Sequence, residues 1–476
     1  AELRKNRSEN SSLKAAGFYD DALNFIGHAT GYPTDSKNKP SGNQDLSTEV
    51  GFFANANYMY NNRYYADFVY RLSGSSKFGS NQRYGEFWSG GLGWNLHNEN
   101  FLKFEKLNLL KIRGSVGYTG KVNFEPFQSI TMYKYENTLE YLHGIGAIPQ
   151  TIGNDDLKWE REFSYNIGAD ISLFDRRLNA TLDFYLKRTK DLVLDASIAP
   201  STGVVSGKQN IGEMENKGFE FSVDGFIIQR NDVWWQLGMN GSTNKNRILK
   251  ISNALKRQNE LNNDVAPTRQ TPAPLAQYEE GESTSALKVV RSAGIDPATG
   301  REVFIKLDGT RTFTYSADDK VVVGDTDPRF YGNVYTNVFY KGFSLYIMGS
   351  FKCGGYLYNV TRASRVEGTT GRTNVDRRAF DSRWKEVGDI ALYRKITEHS
   401  VPQQTDRFVE KENVLTITSV NLGYEFPQRI CQKMMLRNLR LGVNLSDILR
   451  FSNVKVERGL DYLYGNGFEF TLSTTF

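Results

Sequence analysis

At 476 residues the chain could hold two or three soluble domains or one large barrel, and length alone does not choose between them. A hydrophobic content of 39%, a charged content of 24% and a mean hydropathy of −0.51, with no apolar run near the ~18 residues that a helical span needs, exclude a helical membrane protein. The net charge of +5 is too small for this size to argue for nucleic acid. The 26 Tyr and 30 Phe exceed what packing needs and suit aromatic girdles at two membrane interfaces, although a Tyr-rich sandwich or propeller stays open on composition alone.

Residues 1–48 are polar and turn-rich, with Gly31, Pro33, Pro40 and Gly42, and are expected to form an extracellular loop with a short helix near Asp20 to His28. Ala1 to Asn10 lacks the apolar core of a signal peptide, so either a leader has been removed or the beginning of the protein is missing. Strand alternation begins at Phe52: Phe52, Ala54, Ala56, Tyr58 and Tyr60 share one side, Asn61 and Asn62 turn the chain, and Tyr64, Ala66, Phe68 and Tyr70 return. Trp88, Leu92, Trp94 and Leu96 mark a third strand, and Leu110, Ile112, Val116 and Tyr118 a fourth. Tyr165 to Leu173 and Leu178 to Leu186 make the clearest hairpin, and its other face carries Asp170 and Asp183, which suit a wet lumen better than a dry core. Strands over Glu213 to Ile228 and Val233 to Asn246 follow, then a hairpin around Lys341 and Gly342.

Three strands end the chain. Val420 to Phe426, Leu439 to Leu445 and Phe468 to Phe476 each alternate apolar with polar residues. In a soluble sheet the apolar side needs a second layer, and no helical stretch is evident to supply one. Lipid is the other solvent that accepts such a face. The connections sort by length in alternation: short turns at Asn61, Asp175, Arg230, Lys341 and Pro427 to Met435, and long polar segments such as Gly120 to Lys158, Arg247 to Phe330 and Gly354 to Val409. Arg372 to Glu386 has helical spacing inside the last of these. The reading is all-β: an antiparallel transmembrane β-barrel with long extracellular loops, about 13 strands of a larger barrel of about 22. Residue 1 is expected on the long-loop side and Phe476 on the short-turn side, which demands an odd number of crossings and an open sheet with its first and last strands apart.

No catalytic or metal constellation is legible, and no cofactor is expected. His28, His97, His143 and His399 are scattered without paired metal spacing. Gly90-Gly91-Leu92-Gly93 lies inside a strand, where glycines relieve crowding in a curved wall. Asp325-Thr326-Asp327-Pro328 has the start of a calcium loop but lacks further ligands at fixed offsets, and a turn closed by Asp and Pro is the commoner meaning. Tyr133, Tyr135, Tyr141 and His143 cluster in one long loop and are the candidate substrate-binding residues, since aromatic faces stack on sugars and flexible ligands; girdle and loop-core tyrosines are the alternative. Cys353 and Cys431 sit in separate elements, and no disulfide is expected.

Several motifs resemble one family. Asn154-Asp155-Asp156-Leu157-Lys158-Trp159-Glu160, then Asn166-Ile167-Gly168, then Phe184-Tyr185 with Thr189-Lys190-Asp191-Leu192, are similar to the barrel of SusC/RagA-type TonB-dependent transporters. Gly74-Ser75-Ser76-Lys77-Phe78-Gly79, Gly212 to Gly218 and Arg407-Phe408-Val409-Glu410 extend the likeness, whereas Ser73, Tyr84 and Trp88 depart from it. The resemblance runs roughly from Glu49 to Phe476 and is weakest over residues 1–45 and 248–280. It implies residence in the bacterial outer membrane and import of a large nutrient, oligosaccharide or peptide, with no enzyme activity. It also implies a SusD-like surface lipoprotein as lid and a TonB complex acting through an amino-terminal plug region. On that reading 49–476 are barrel strands and loops of the carboxyl-terminal portion, the plug is absent from this chain, and Phe476 is a membrane-insertion signal. A structural or adhesive surface barrel and a soluble carbohydrate-binding sandwich are the competing classes.

Overall fold

The computed structural model describes residues 1–475 except 21–24, 33–39, 142–143, 199, 205, 266–271, 370–374 and 456–464. The chain opens with β1 (Glu2–Ser12), β2 (Ser41–Tyr60), β3 (Tyr64–Ser75), β4 (Tyr84–Asn95) and β5 (Leu107–Lys121). A separate ribbon of β6 (Met132–Tyr141) and β7 (Gly144–Thr151) precedes β8 (Glu160–Leu173), β9 (Leu178–Ser197), β10 (Ser206–Arg230) and β11 (Val233–Lys250). The longest connection holds helix α1 (Asn253–Val265) and a four-stranded sheet of β12 (Ala286–Ile295), β13 (Glu302–Ile305), β14 (Arg311–Thr312) and β15 (Lys320–Asp325). The chain ends with β16 (Phe330–Tyr340), β17 (Phe343–Tyr358), β18 (Val409–Glu425), β19 (Asn438–Ser452) and β20 (Gly467–Thr475).

Fourteen of these strands form one antiparallel meander in sequence order, from β1 to β20. The register lines up side chains by kind, because the pleat sends alternate residues to opposite faces. One row reads Tyr58, Ala66, Leu92, Gly114, Ile167, Phe184 and Phe219 from β2 to β10. The next row, on the opposite face, reads Asn57, Asp67, Gly91, Ser115, Asn166, Tyr185 and Gly218. Leu92 is 70% exposed, Ile167 65% and Phe470 75%. Leaving such a side chain in water forgoes roughly 1.5–3 kcal/mol of burial, so this face requires an apolar solvent. Of the Gly90 to Gly93 run, Gly91 and Gly93 are crowded: a Cβ would lie 2.5 Å from Asp67 and 1.9 Å from the Tyr65 ring, whereas Gly90 has nothing closer than 3.8 Å.

The turns have the expected residues in the left-handed region. Asn61 and Asn62 have φ of 49° and 54°, and Lys341 and Gly342 have 48° and 95°, the conformation that matches strand twist in a two-residue hairpin. The amino-terminal expectation needs correction. Instead of a loop throughout, residues 1–48 contain β1 and the start of β2, paired from Glu2–Gly51 to Ser12–Ser41. The count is therefore fourteen rather than about thirteen, and the odd-number argument fails because β1 begins opposite Gly51, part-way along the wall rather than on the long-loop side. Near Asp20 to His28 the structure has a 3-10 turn at Ile26–His28, with 21–24 outside the described residues. Of the helical spacing over 372–386, the described residues form a helix at Arg378–Asp381. Among the described residues the sheet is open, with β1 paired only to β2 and β20 only to β19.

The long connections fold on their own terms. Leu287, Val289, Tyr358, Ala363 and Phe408 form a dry core between the loop sheet and the top of β17, and Val366, Ala379 and Tyr393 form a second. Phe78 and Leu157, 1% and 0% exposed, form a third site of burial, where Phe78 lies 4.3 Å from Trp159. These clusters make a crown on the long-loop end of the wall.

Candidate functional site

The lumen face of the wall is built for hydrogen bonding. Arg113 on β5 reaches Asp170 on β8 at 3.2 Å and Asp183 on β9 at 2.7 Å, so the two carboxylates read from the sequence share one guanidinium. Higher on the same face Asn216 accepts from Asn246 at 2.8 Å and from Asn244 at 3.4 Å. At the mouth the chemistry turns apolar. After bulges at Asp191, whose φ is 56°, and between Asn210 and Gly212, a cavity of about 460 Å3 is lined by Leu192, Leu194, Met214, Ile248, Leu255 and Tyr278. A sequence reading misses this pocket because it is assembled from β9, β10, β11 and α1.

The crown is held by buried ions. Arg407 grips Glu302 through both guanidinium ends, at 2.8 and 2.7 Å, and donates to Glu367 at 2.8 Å. Arg394 reaches the same Glu367 oxygen at 2.7 Å, and the Arg383 guanidinium donates to the carbonyls of Ala379, Arg394, Val366 and Glu367. Burial alone would lower the Arg407 pKa, but Glu302 and Glu367 outweigh it and hold the group above the ordinary arginine value. Burial likewise pushes the Tyr358 hydroxyl up, with Glu302 adding to it.

The candidate aromatic cluster is only partly placed. Tyr133 and Tyr135 stand two apart on the β6 ribbon, 64% and 72% exposed, free to meet a ligand. Tyr141 pairs through its backbone with Gly144 at the ribbon tip, and His143 lies outside the described residues, as does Phe476. Asp325 accepts from the Ser285 hydroxyl at 2.6 Å and from the Asp327 N–H at 3.0 Å, a side-chain-closed turn. Among the described residues no three His, Cys, Asp or Glu side chains are placed to hold a metal. Cys353 and Cys431 are both free thiols.

A wall with one lipid-type face, one hydrogen-bonding face and a folded crown is matched by the family described as TonB dependent receptor-like, beta-barrel, over residues 6–444. The chain belongs to that family. TonB-dependent receptor P3 of Formosa agariphila is 28% identical over 439 residues, covering 87% of this chain and 42% of that protein. TonB-dependent receptor SusC of Bacteroides thetaiotaomicron is 35% identical over 214 residues, 43% of this chain and 21% of that protein. The structure of the RagAB peptide transporter superposes with a TM-score of 0.80 at 24% identity, over 95% of this chain and 49% of its own, which establishes the shared fold. The chain thus spans about half or less of the length of these relatives. Its place is the bacterial outer membrane, as a SusC-like barrel wall.

In this TonB-dependent receptor barrel the recognised motifs are loop clamps. Asn154 to Glu160 ties the β3–β4 connection to the upper parts of β9 and β10: Ser80 donates to Asp155 at 2.9 Å, Asn154 donates to the Lys208 carbonyl at 3.1 Å, and Glu160 accepts from the Val193 N–H at 2.9 Å. Gly79 donates to the Leu157 carbonyl at 2.9 Å and has no room for a Cβ, which would sit 2.1 Å from the Asp155 oxygen. In Arg407 to Glu410, Arg407 is the ionic hub, Phe408 is fully buried and Glu410 pairs with Arg362.

Proposed function

We propose that this chain is the wall and crown of a TonB-dependent importer of SusC/RagA type, which moves a large nutrient across the outer membrane and catalyses no reaction. The observation that carries the reading is the opposite chemistry of the two faces of one continuous sheet. Tyr58, Leu92, Ile167 and Phe184 face outward, while Asp67, Asn166, Asp170 and Asp183 face inward. An oligosaccharide or a peptide suits such a lumen, because both present many hydrogen-bonding groups and some apolar surface. The apolar mouth cavity and the exposed Tyr133 and Tyr135 would meet that apolar surface. A SusD-like lipoprotein would cover the crown, and a TonB complex would act through a plug region. Further strands would pair with Phe52–Tyr60 of β2 and with β20, since an unpaired backbone edge is costly in lipid.

Uptake by a strain lacking the gene, measured with a panel of labelled oligosaccharides and peptides, tests the reading. Loss of uptake of one class, restored by the intact gene, is expected. Unchanged uptake of every panel member, with the protein present in the wild-type outer membrane, would instead favour an adhesive or structural barrel.

A further inference from the structure

The six short connections of the wall cover residues 61–63, 96–106, 174–177, 231–232, 341–342 and 426–437. Together they hold nine Lys and Arg against four Asp and Glu. That excess equals the net charge of +5 of the whole chain, so the charge is gathered on one rim while the rest of the molecule is balanced. Of the four acids, Glu99 is engaged by Arg63 at 3.4 Å and by the Tyr64 hydroxyl at 2.7 Å. Even with Glu105, Asp175 and Asp232 each assigned to a neighbouring cation, the excess stands. It is densest over 426–437, where Arg429, Lys433 and Arg437 have no acid among them and the adjoining Glu425 faces Arg440 at 3.9 Å. None of the three has an ion pair among the described residues.

Large apolar side chains stand exposed beside these cations. Ile430, Met434 and Met435 lie in and just after a short helix, Gln428–Lys433, and Met435 is 89% exposed. The helix packs on β19, where Leu439 is 8% exposed although Leu441, next on the same outward row, is 47% exposed; the helix therefore lies toward the lipid side. The same pairing recurs in the connections on either side of β5 and β8, where Phe101, Phe104 and Phe174 are exposed next to Lys103, Lys106, Arg176 and Arg177. The last outward rows before the turns are aromatic: Tyr60, Tyr64 and Trp94 on one side of the wall, Tyr340, Phe343 and Tyr424 on the other. Such belts sit at the level of lipid headgroups, and the short-turn side of an outer-membrane barrel faces the periplasm. We propose that this rim binds the headgroups of anionic phospholipids in the periplasmic leaflet, with Arg429, Lys433 and Arg437 as its main cationic partners and Met434 and Met435 set among the acyl chains beside them. A soluble anion would meet the charge and leave those side chains in water. A lipid meets both.

The test uses the full-length protein, stripped of lipid in a neutral detergent, with native mass spectrometry as readout. Probes are phosphatidylglycerol and phosphatidylcholine with the same acyl chains, and inorganic phosphate. The wild type should retain phosphatidylglycerol in preference to phosphatidylcholine. At about fivefold in affinity per cation, Arg429→Gln/Lys433→Gln/Arg437→Gln should lower phosphatidylglycerol retention by more than about tenfold and leave phosphatidylcholine unchanged. Lys103→Gln/Lys106→Gln should give a smaller loss in the same direction and serves if the triple variant does not fold. Equal retention of the two lipids by the wild type would overturn the proposal, as would equal retention of phosphatidylglycerol by wild type and both variants. Displacement of phosphatidylglycerol by an equal concentration of inorganic phosphate would reassign the rim to a soluble anion. Resistance of Lys433 to an amine-acetylating reagent in the lipid-free protein would show the rim covered by another protein surface, and would overturn the lipid assignment as well.

Discussion

The wall and the crown satisfy the same physics in opposite ways. Ile167 in the wall is 65% exposed and Phe408 in the crown 0%, yet both are apolar residues in or beside strands. The wall gives its side chains to lipid and its backbone to neighbouring strands, so it needs no second layer. The crown stands in water and must build dry cores from segments far apart in sequence, as Arg407 does in reaching back to Glu302. Solvent decides which kind of core each region has. Damage to one should therefore leave the other standing.

The largest expected effect is in the crown. Arg407→Met leaves Glu302 and Glu367, whose side chains are 2% and 0% exposed, without their shared cation. Removing one partner from such a network costs about 3–5 kcal/mol. The crown should become protease-sensitive while the barrel keeps its heat-modifiable migration on a gel. Loss of the folded barrel band would break the comparison, because it would make the crown part of the wall's own stability.

Ile167→Arg tests the wall from the other side. A charge on the lipid face costs about 2–4 kcal/mol near the midplane, whereas Thr181→Arg, on the lumen face opposite Asp170, should cost little. Yield of folded protein in the outer membrane is the measurement. Equal yields for the two variants would remove the assignment of faces.

These two regions were also unequally legible. The wall announces itself because lipid and lumen impose a period of two, and Asn61-Asn62 and Lys341-Gly342 state their turns outright. Where alternation breaks at Asp191 and near Gly212, the strands continue past the point at which a periodic reading stops: β9 runs to Ser197 and β10 starts at Ser206. β1 was illegible for a different reason. Leu3 is the only apolar residue in Glu2–Ser12, so nothing in its pattern distinguishes it from a loop, and its ladder to β2 defines it. In the crown, Arg407-Phe408-Val409-Glu410 could be matched to a family, but the charges it meets lie 105 residues back in an earlier connection and 40 residues back in its own. No local period encodes such contacts. The mouth cavity is hidden for the same reason.

Removing Phe476 should have a smaller effect than either substitution, and on a different quantity. The residue would continue the outward alternation of Phe468, Phe470 and Leu472 at the end of the chain. An aromatic there resembles the terminal signal read by the insertion machinery of the outer membrane. The amount inserted should fall, while protein that does insert should melt like wild type. An unchanged yield would leave Phe476 as one more girdle residue.

The smallest effect is expected at the ribbon of β6 and β7, which belongs to neither region. Tyr133 and Tyr135 are exposed on one side of it, and the ribbon's ladder joins only its own two strands. Their removal should therefore not change the stability of wall or crown. If they stack on a sugar or on an apolar side chain of the substrate, each ring contributes roughly 0.5–1.5 kcal/mol, and either single variant, Tyr133→Ala or Tyr135→Ala, should raise the KM for uptake by about two- to tenfold while leaving the maximal rate unchanged. Binding is the link on which this expectation rests, so the split between KM and rate is the informative readout. A fall in the maximal rate with KM unchanged would point to a role after capture, and an unaltered KM and rate would return both tyrosines to ordinary loop surface.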